Sequence, residues 1–157
     1  MGKRPSAGVV WVICTGSLGP HDLVACVAMA LPTTEPFIAA AEARLGVALP
    51  GWLRARLLHA NGGNLEAEGE YWELFSVLDT TDRKRITRSA TNIPGETAAA
   101  REWVGFPPQA IAIASNGGGD YLILMPDGQM PSRLCEAPFI WLHGVDEPPV
   151  QIAIPAP

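Results

Sequence analysis

The spacing of apolar residues changes along the chain. Between residues 34 and 63, apolar positions recur every three or four residues, whereas beyond residue 108 they alternate with small or polar residues or form short runs. The first pattern is typical of helices and the second of strands. Helices followed by strands predict an α+β domain, in which an N-terminal helical hairpin packs on a mainly antiparallel β-sheet.

Two consecutive stretches carry helix signals. TTEPFIAAAEARLG has Thr34 as a candidate cap, Glu35 and Pro36 in its first turn and Gly46 at its end, all of which are common at helix termini. LPGWLRARLLHANGG is opened by Pro50 and closed by Asn-Gly-Gly. The two stretches predict two helices that form a hairpin.

Strand signals begin at YWELFSVL, which follows the polar, acidic stretch LEAEGE. We interpret LEAEGE as a connection, and DTTDRKRITRSATNIPGE as a second, irregular one. ETAAAREWVGF predicts a short helix that Gly105 and Pro107 end. Four further strands are then predicted in QAIAIAS, DYLILMP, PFIWLH and VQIAIP, each separated from the next by Gly, Pro or Asp.

The first 32 residues differ from the rest of the chain. Two apolar patches, VVWVIC and LVACVAMALP, are separated by Gly-Pro-His-Asp, and each is shorter than the roughly 18 residues that a membrane span needs. We interpret residues 1–32 as an extension and residues 33–157 as one domain. A signal peptide, with Cys26 in a lipoprotein-like LVAC box, is the alternative. Removing residues 1–28 should leave a chain that is soluble and unfolds cooperatively.

Composition narrows the class of protein. The chain has 157 residues, 48% of them hydrophobic, which suits one globular domain. Its net charge of -5 argues against nucleic acid as a partner. The acidity belongs to the domain, because the first 28 residues contain Lys3 and Arg4 but only one acidic residue, Asp22. An acidic domain suits a basic partner, although mild acidity also serves solubility alone.

Cysteine and histidine are scarce. The three cysteines are far apart and odd in number, which argues against a disulfide framework and favours a reducing, cytoplasmic location; they are Cys14, Cys26 and Cys135. The three histidines are too dispersed to predict a metal site; they are His21, His59 and His143. A thiol-imidazole pair of Cys135 and His143 remains the enzymatic alternative. We therefore predict no catalytic residue, no cofactor and no metal.

The stretch SNGGGDYLILMPDG raises the question of a phosphate loop. It lacks the Lys-Ser/Thr ending of a P-loop, and a strand rather than a helix follows it. The Asp residues at 79, 82, 120 and 127 also lack the spacing of a calcium loop. We predict instead that residues 116–119 reverse the chain between two strands and that Asp120 ties the turn to nearby backbone N–H groups.

Charged residues cluster in two places around YWELFSVL. An acidic group and two adjoining aromatic residues are candidates for contact with a basic partner; they are Glu66, Glu68, Glu70, Tyr71, Trp72, Glu73, Asp79 and Asp82. An ordinary hydrophilic loop is the alternative. Strand alternation should send the side chains of Tyr71 and Trp72 to opposite faces. The basic residues Arg83, Lys84, Arg85 and Arg88 are interpreted as a solvated connection.

The order of several short motifs resembles the SUKH superfamily, which includes fungal cell-wall synthesis regulators of the SMI/KNR type and bacterial toxin-immunity proteins. The similarity covers about residues 35–130. It rests on Leu-Gly followed by Leu-Pro, on Asn-Gly-Gly after the second helix and on Gly-Gly-Asp before a strand; these residues are Leu45, Gly46, Leu49, Pro50, Asn61, Gly62, Gly63, Gly118, Gly119 and Asp120.

The resemblance implies a non-catalytic α+β domain that binds other proteins. In bacteria the implied partner is a secreted toxin domain, which the immunity protein blocks inside the producing cell. A regulatory scaffold of the fungal type is the second function that the resemblance implies. The C-terminal stretch VDEPPVQIAIPAP departs from the family pattern, in which a helix often closes the domain.

Overall fold

The computed structural model describes residues 30–155. Within these residues, six strands form one antiparallel sheet in the order β1-β2-β3-β4-β5-β6, and four helices accompany it. This confirms the predicted α+β class. In chain order the elements are α1 (Glu35–Leu45), α2 (Gly51–His59), β1 (Gly63–Ala67), β2 (Glu70–Leu74), α3 (Arg83–Arg88), α4 (Ile93–Ala100), β3 (Ile111–Ser115), β4 (Tyr121–Leu124), β5 (Phe139–Trp141) and β6 (Val150–Gln151).

The predictions about a signal peptide and about Cys14, Cys26 and His21 lie outside the described residues. The domain limits and the effect of removing residues 1–28 stay predictions. Two residues just before the predicted limit do contact the domain: the Leu31 carbonyl accepts from the Asn61 N–H, and the Pro32 carbonyl accepts from Arg85.

The helical hairpin forms as predicted. α1 ends at Gly46, whose φ of 73° is left-handed, and Pro50 caps the start of α2. Thr34 occupies the N-cap of α1 but its side chain makes no capping hydrogen bond. Glu42 instead holds the turn between the helices, because its carboxylate accepts the Leu49 N–H at 2.8 Å and pairs with Arg54.

Two of the predicted connections are regular elements, and those predictions were wrong. LEAEGE is not a loop, because Gly63–Ala67 forms β1 and pairs with β2 in a hairpin. Only Leu65 and Ala67 supply its buried face, which is too short an alternation to detect in the sequence. DRKRITR contains the short helix α3, which Asp82 caps by accepting the Arg85 N–H. The next helix, α4, begins at Ile93, earlier than predicted.

The strands predicted beyond residue 108 are confirmed as β3 to β6. Nearly every residue of β3 and β4 is buried, and an aromatic cluster packs around Tyr121 of β4 and Trp141 of β5. In that cluster the ring of Phe106 packs against Tyr121 and Trp141, and the Trp141 indole N–H donates to the Gly105 carbonyl. The segment after α4 thus covers the sheet and completes the core.

Candidate protein-binding surface

The hairpin of β1 and β2 lies at one edge of the sheet and carries most of the acidic candidates. Ala67 pairs with Glu70, so Glu68 and Gly69 alone form the turn. Their φ values of 52° and 76° are both positive, as a type I′ hairpin turn requires. Glu68 is the only described non-glycine residue with positive φ. The turn therefore places a glutamate where asparagine or glycine is favoured.

The two faces of this hairpin differ sharply. Leu65, Trp72 and Leu74 face the core, whereas Glu66 lies opposite Tyr71 on the outer face and Glu73 follows two residues later on the same face. Tyr71 is 74% exposed and Trp72 is 1% exposed. The predicted alternation is confirmed, and Trp72 is corrected from a binding candidate to a core residue, whose indole N–H donates to the Ala67 carbonyl.

We call the exposed residues of this unit the acidic hairpin: Glu66, Glu68, Glu70, Tyr71 and Glu73. The stretch from 63 to 74 contains no lysine or arginine. Within residues 30–155, the ion pairs engage other carboxylates, namely those of Glu35, Glu42, Asp79 and Asp82. Two basic groups come near the hairpin: the Arg56 guanidinium donates to the Asn64 carbonyl, and Glu73 shares a cleft with Arg88. The other glutamates of the hairpin lie near an exposed aromatic ring, a combination that suits a basic protein surface.

Asp79 does not belong to this surface, and its assignment as a binding candidate was wrong. It is 2% exposed. Its carboxylate accepts hydrogen bonds from Thr33, from the backbone and hydroxyl of Thr81, and from Arg85 at 3.0 Å. Burial raises the pKa of Asp79, but the hydrogen bonds from Thr81, Arg85 and Thr33 together outweigh burial and hold the pKa below its ordinary value. Asp79 is a structural anchor.

Asp82 has a local structural role as well. Its carboxylate accepts the Arg85 N–H at 2.8 Å and so caps α3. The basic cluster is therefore partly tied down, because Arg85 also pairs with Asp79 and donates to Pro32. The two aspartates and Arg85 join α3 to the segment that precedes α1.

The Asn-Gly-Gly motif has a physical role at the start of β1. The Asn61 side chain donates to the Val77 carbonyl at 2.8 Å and accepts the Val77 N–H at 2.7 Å, so it replaces a strand partner for that residue. Gly62 and Gly63 have φ values of 109° and 87°, and a Cβ on Gly62 would lie 3.4 Å from the Leu74 carbonyl oxygen. Both glycines are needed for the backbone to enter the hairpin at this angle.

The glycine-rich stretch reverses the chain between β3 and β4, as predicted. Asn116 accepts the Gly118 N–H and donates to the Asp120 carboxylate. Asp120 also accepts the His143 N–H at 2.9 Å, which ties the turn to the chain after β5. The Gly118 and Asp120 N–H groups both donate to the Asn116 side chain, so the stretch is a structural junction.

A cleft of about 380 Å³ opens beside α3. Its charged lining includes Glu73, Asp79, Arg85 and Arg88, of which Asp79 and Arg85 pair with each other. The Asn-Gly-Gly motif forms part of its wall. No histidine or cysteine lines it among the described residues.

Cys135 and His143 have different partners. The Cys135 thiol points to the Pro126 carbonyl at 3.6 Å, whereas the His143 ring packs edge-on against Trp103 with the ring centroids 4.1 Å apart. In the part of the chain that the structure describes, no group of three or more His, Cys, Asp or Glu residues could hold a metal ion. Nor does any helix there have the length and apolarity to cross a membrane.

One surface feature escaped the sequence predictions. A groove of about 370 Å³ lies between the turn of the acidic hairpin and the strands β5 and β6. Glu68, Glu70 and Glu147 supply its carboxylates, and its apolar lining comes from Ile140, Leu142, Pro148, Val150 and Ile152. Its two sides are more than 65 residues apart in the chain, so no local pattern connects them.

The four helices and the six-stranded antiparallel sheet of the described residues define an α+β domain. The family model described as SMI1 / KNR4 family (SUKH-1) matches residues 32–152. The chain belongs to this family, which confirms the resemblance seen in the motifs. The comparisons with curated proteins and with solved structures found no significant match.

Proposed function

We propose that this chain is a non-catalytic protein-binding domain that binds and neutralises a cognate bacterial toxin in the cytoplasm of the producing cell. Membership of the SUKH-1 family supports a binding role. The single observation that carries the proposal is the acidic hairpin, in which the exposed ring of Tyr71 lies between carboxylates that have no basic neighbours in the hairpin.

Each part of this surface has a defined task in the proposed complex. The carboxylates attract a basic toxin surface over a distance, which raises the association rate and disfavours acidic competitors. Tyr71 is rigid, large and amphipathic, so burying it against the partner supplies contact energy at a low entropic cost. The carboxylates thus mainly raise the association rate, and Tyr71 mainly lowers the dissociation rate.

Co-expression with a toxin encoded beside this gene tests the proposal. We expect the full chain to restore growth and to co-purify with the toxin. Tyr71→Ala should weaken the complex through faster dissociation, whereas Val104→Ala, at an exposed residue outside the hairpin, should leave it unchanged. No rescue and no complex would overturn the toxin-neutralising function. Co-purification with a housekeeping protein instead would support the regulatory scaffold.

A charge reversal tests the role of the carboxylates. Glu66→Lys should slow association with the toxin and reduce its dependence on salt. Glu102→Lys is the matched control, because it makes the same change in net charge at an exposed glutamate outside the hairpin. Equal effects of the two variants on the association rate, measured by stopped flow, would mean that only the overall charge matters.

A further inference from the structure

The groove beside the hairpin turn combines an apolar floor with an acidic rim. Ile140, Leu142 and Val150 form the floor, and Glu68, Glu70 and Glu147 contribute the carboxylates. Of the residues that the structure describes, no lysine or arginine lines it. Val150 is 63% exposed and Leu142 is also exposed, although both are aliphatic residues that would gain from burial.

Exposed apolar side chains concentrate in this part of the chain. Leu142, Val145, Val150 and Ile154 all lie between residues 142 and 154 and account for a large share of the exposed large apolar residues. Single exposed apolar residues are common on protein surfaces. Several exposed apolar residues beside one groove indicate a contact surface.

The sheet topology explains why this floor is uncovered. β6 pairs with β5 through only two residues and forms the last strand of the sheet. Pro148 and Pro149 precede it, and Pro155 follows shortly after. Proline restricts the addition of another strand at this edge. A partner would therefore engage the groove through side chains that insert into it, more than through backbone pairing.

We propose that this groove docks a protein segment that inserts an aliphatic side chain between flanking lysine or arginine residues. The aliphatic side chain would pack on Ile140, Leu142 and Val150, and the cations would lie beside Glu68, Glu70 and Glu147. The charge complementarity of the rim selects a basic segment over an acidic one. The inference rests on the proposed binding of a basic partner. It extends the proposed contact from the outer face of the hairpin, around Tyr71, to the groove beside the hairpin turn.

The probe is a synthetic peptide, GKLKLKG, added to the 15N-labelled full chain at up to about 5 mM, a range that reaches weak peptide affinities. We expect changes in the amide chemical shifts of residues 68–70 and 140–152, and weaker binding at higher salt. The peptides GELELEG and GKSKSKG test the cations and the aliphatic side chains separately. Each should bind at least about tenfold more weakly.

Variants locate the site. Val150→Lys should weaken peptide binding about tenfold or more, because it places a cation in the groove and removes part of its floor. Val104→Lys is the matched control at a valine that is 94% exposed and outside the groove lining. Leu142→Lys provides a second test if Val150→Lys alters the fold.

Three results would overturn the groove proposal. The first is that the peptide changes no amide chemical shifts. The second is that the shift changes are confined to the outer face around Glu66, Tyr71 and Glu73. The third is that the same shifts change without peptide as the protein concentration rises. The last result would assign the groove to a second copy of this chain.

The toxin assay separates this proposal from the proposed function. Neutralisation that survives Val150→Lys and Leu142→Lys would remove the groove from the toxin contact and leave the function in place. A wild-type chain that does not neutralise would overturn the function, while the peptide titration would still decide whether the groove binds basic segments.

Discussion

The central strands and the acidic hairpin use the same sheet in opposite ways. Every residue of β4 and most of β3 are buried, so both faces contribute to the core. In β1 and β2, burial instead alternates with exposure, and the exposed positions carry carboxylates and Tyr71. The centre of the sheet is therefore buried in the core, whereas one edge presents charge to solvent, where the proposed partner would bind.

The separation is sharpest between the neighbouring residues Trp72 and Tyr71. Trp72→Ala should reduce the free energy of unfolding by about 3–5 kcal/mol, because it leaves a cavity in the core. Tyr71→Ala should change it by less than about 0.5 kcal/mol, since an exposed ring has little packing to lose. Urea denaturation followed by fluorescence or circular dichroism measures both. Similar losses of unfolding free energy in the two variants would contradict this difference between Trp72 and Tyr71.

Asp79 contrasts with the hairpin carboxylates because it is buried and fully bonded. Asp79→Asn should reduce stability by about 2 kcal/mol at pH 7, because the amide keeps only one of the two acceptor oxygens and removes the charge that pairs with Arg85. Glu66→Gln, at an exposed position, is the control and should cost almost nothing.

The pH dependence gives a second readout of Asp79. Its pKa in the folded state lies below the ordinary value of 3.8, so the ionised carboxylate stabilises the fold above about pH 3.8, and this contribution disappears as the pH falls through the lower, folded-state pKa. The wild type should therefore lose more stability than Asp79→Asn between pH 5 and pH 2, because only the wild type has a carboxylate at this position that takes up a proton. Parallel acid profiles for the two proteins would contradict this role.

The turn residue Glu68 should show that the hairpin is not optimised for stability alone. Glu68→Asn should raise the free energy of unfolding by about 0.5–1 kcal/mol, because asparagine tolerates positive φ better than glutamate. The same variant should weaken a charge-dependent complex. Glu66→Asn removes the same charge from an extended residue and should not stabilise the fold. Thermal unfolding of the two variants distinguishes the effect of relieving backbone strain in the turn from the effect of removing a charge.

The smallest expected effect on stability comes from the triple change Glu66→Lys, Glu68→Lys and Glu70→Lys. The free energy of unfolding should move by no more than about 0.5 kcal/mol, because these side chains are exposed. Association with a basic partner should slow and lose much of its salt dependence. Unchanged association kinetics would mean that the carboxylates serve only solubility.

Much of the fold follows from local patterns. The helical hairpin was predictable because Gly46 and Pro50 mark its boundaries, and β3 to β6 because glycine, proline and aspartate separate short apolar runs. The strand β1 was missed because its buried face has only Leu65 and Ala67, so its conformation depends on pairing with β2. The helix α3 was missed because its residues are polar, and Asp79 and Asp82 stabilise it from outside.

The candidate site was predictable only in part. Alternation correctly assigned Tyr71 and Trp72 to opposite faces, since the period of two is a property of any strand. Proximity in sequence wrongly grouped Asp79 with the glutamates, because the chain turns inward after β2 and Arg85 and Thr33 lie beside that carboxylate.

The sequence alone was enough to predict the first two helices, the later strands, the turn at residues 116–119 and the family, because each of these depends on residues close together in the chain. Only the folded chain distinguishes the exposed carboxylates of the hairpin from the buried anchor Asp79, and shows that Leu142 and Val150 are exposed beside the hairpin turn. Charge pairing and burial depend on side chains that come together from distant segments of the chain: Asp79 accepts from Thr33, and Glu70 and Val150 line the same groove.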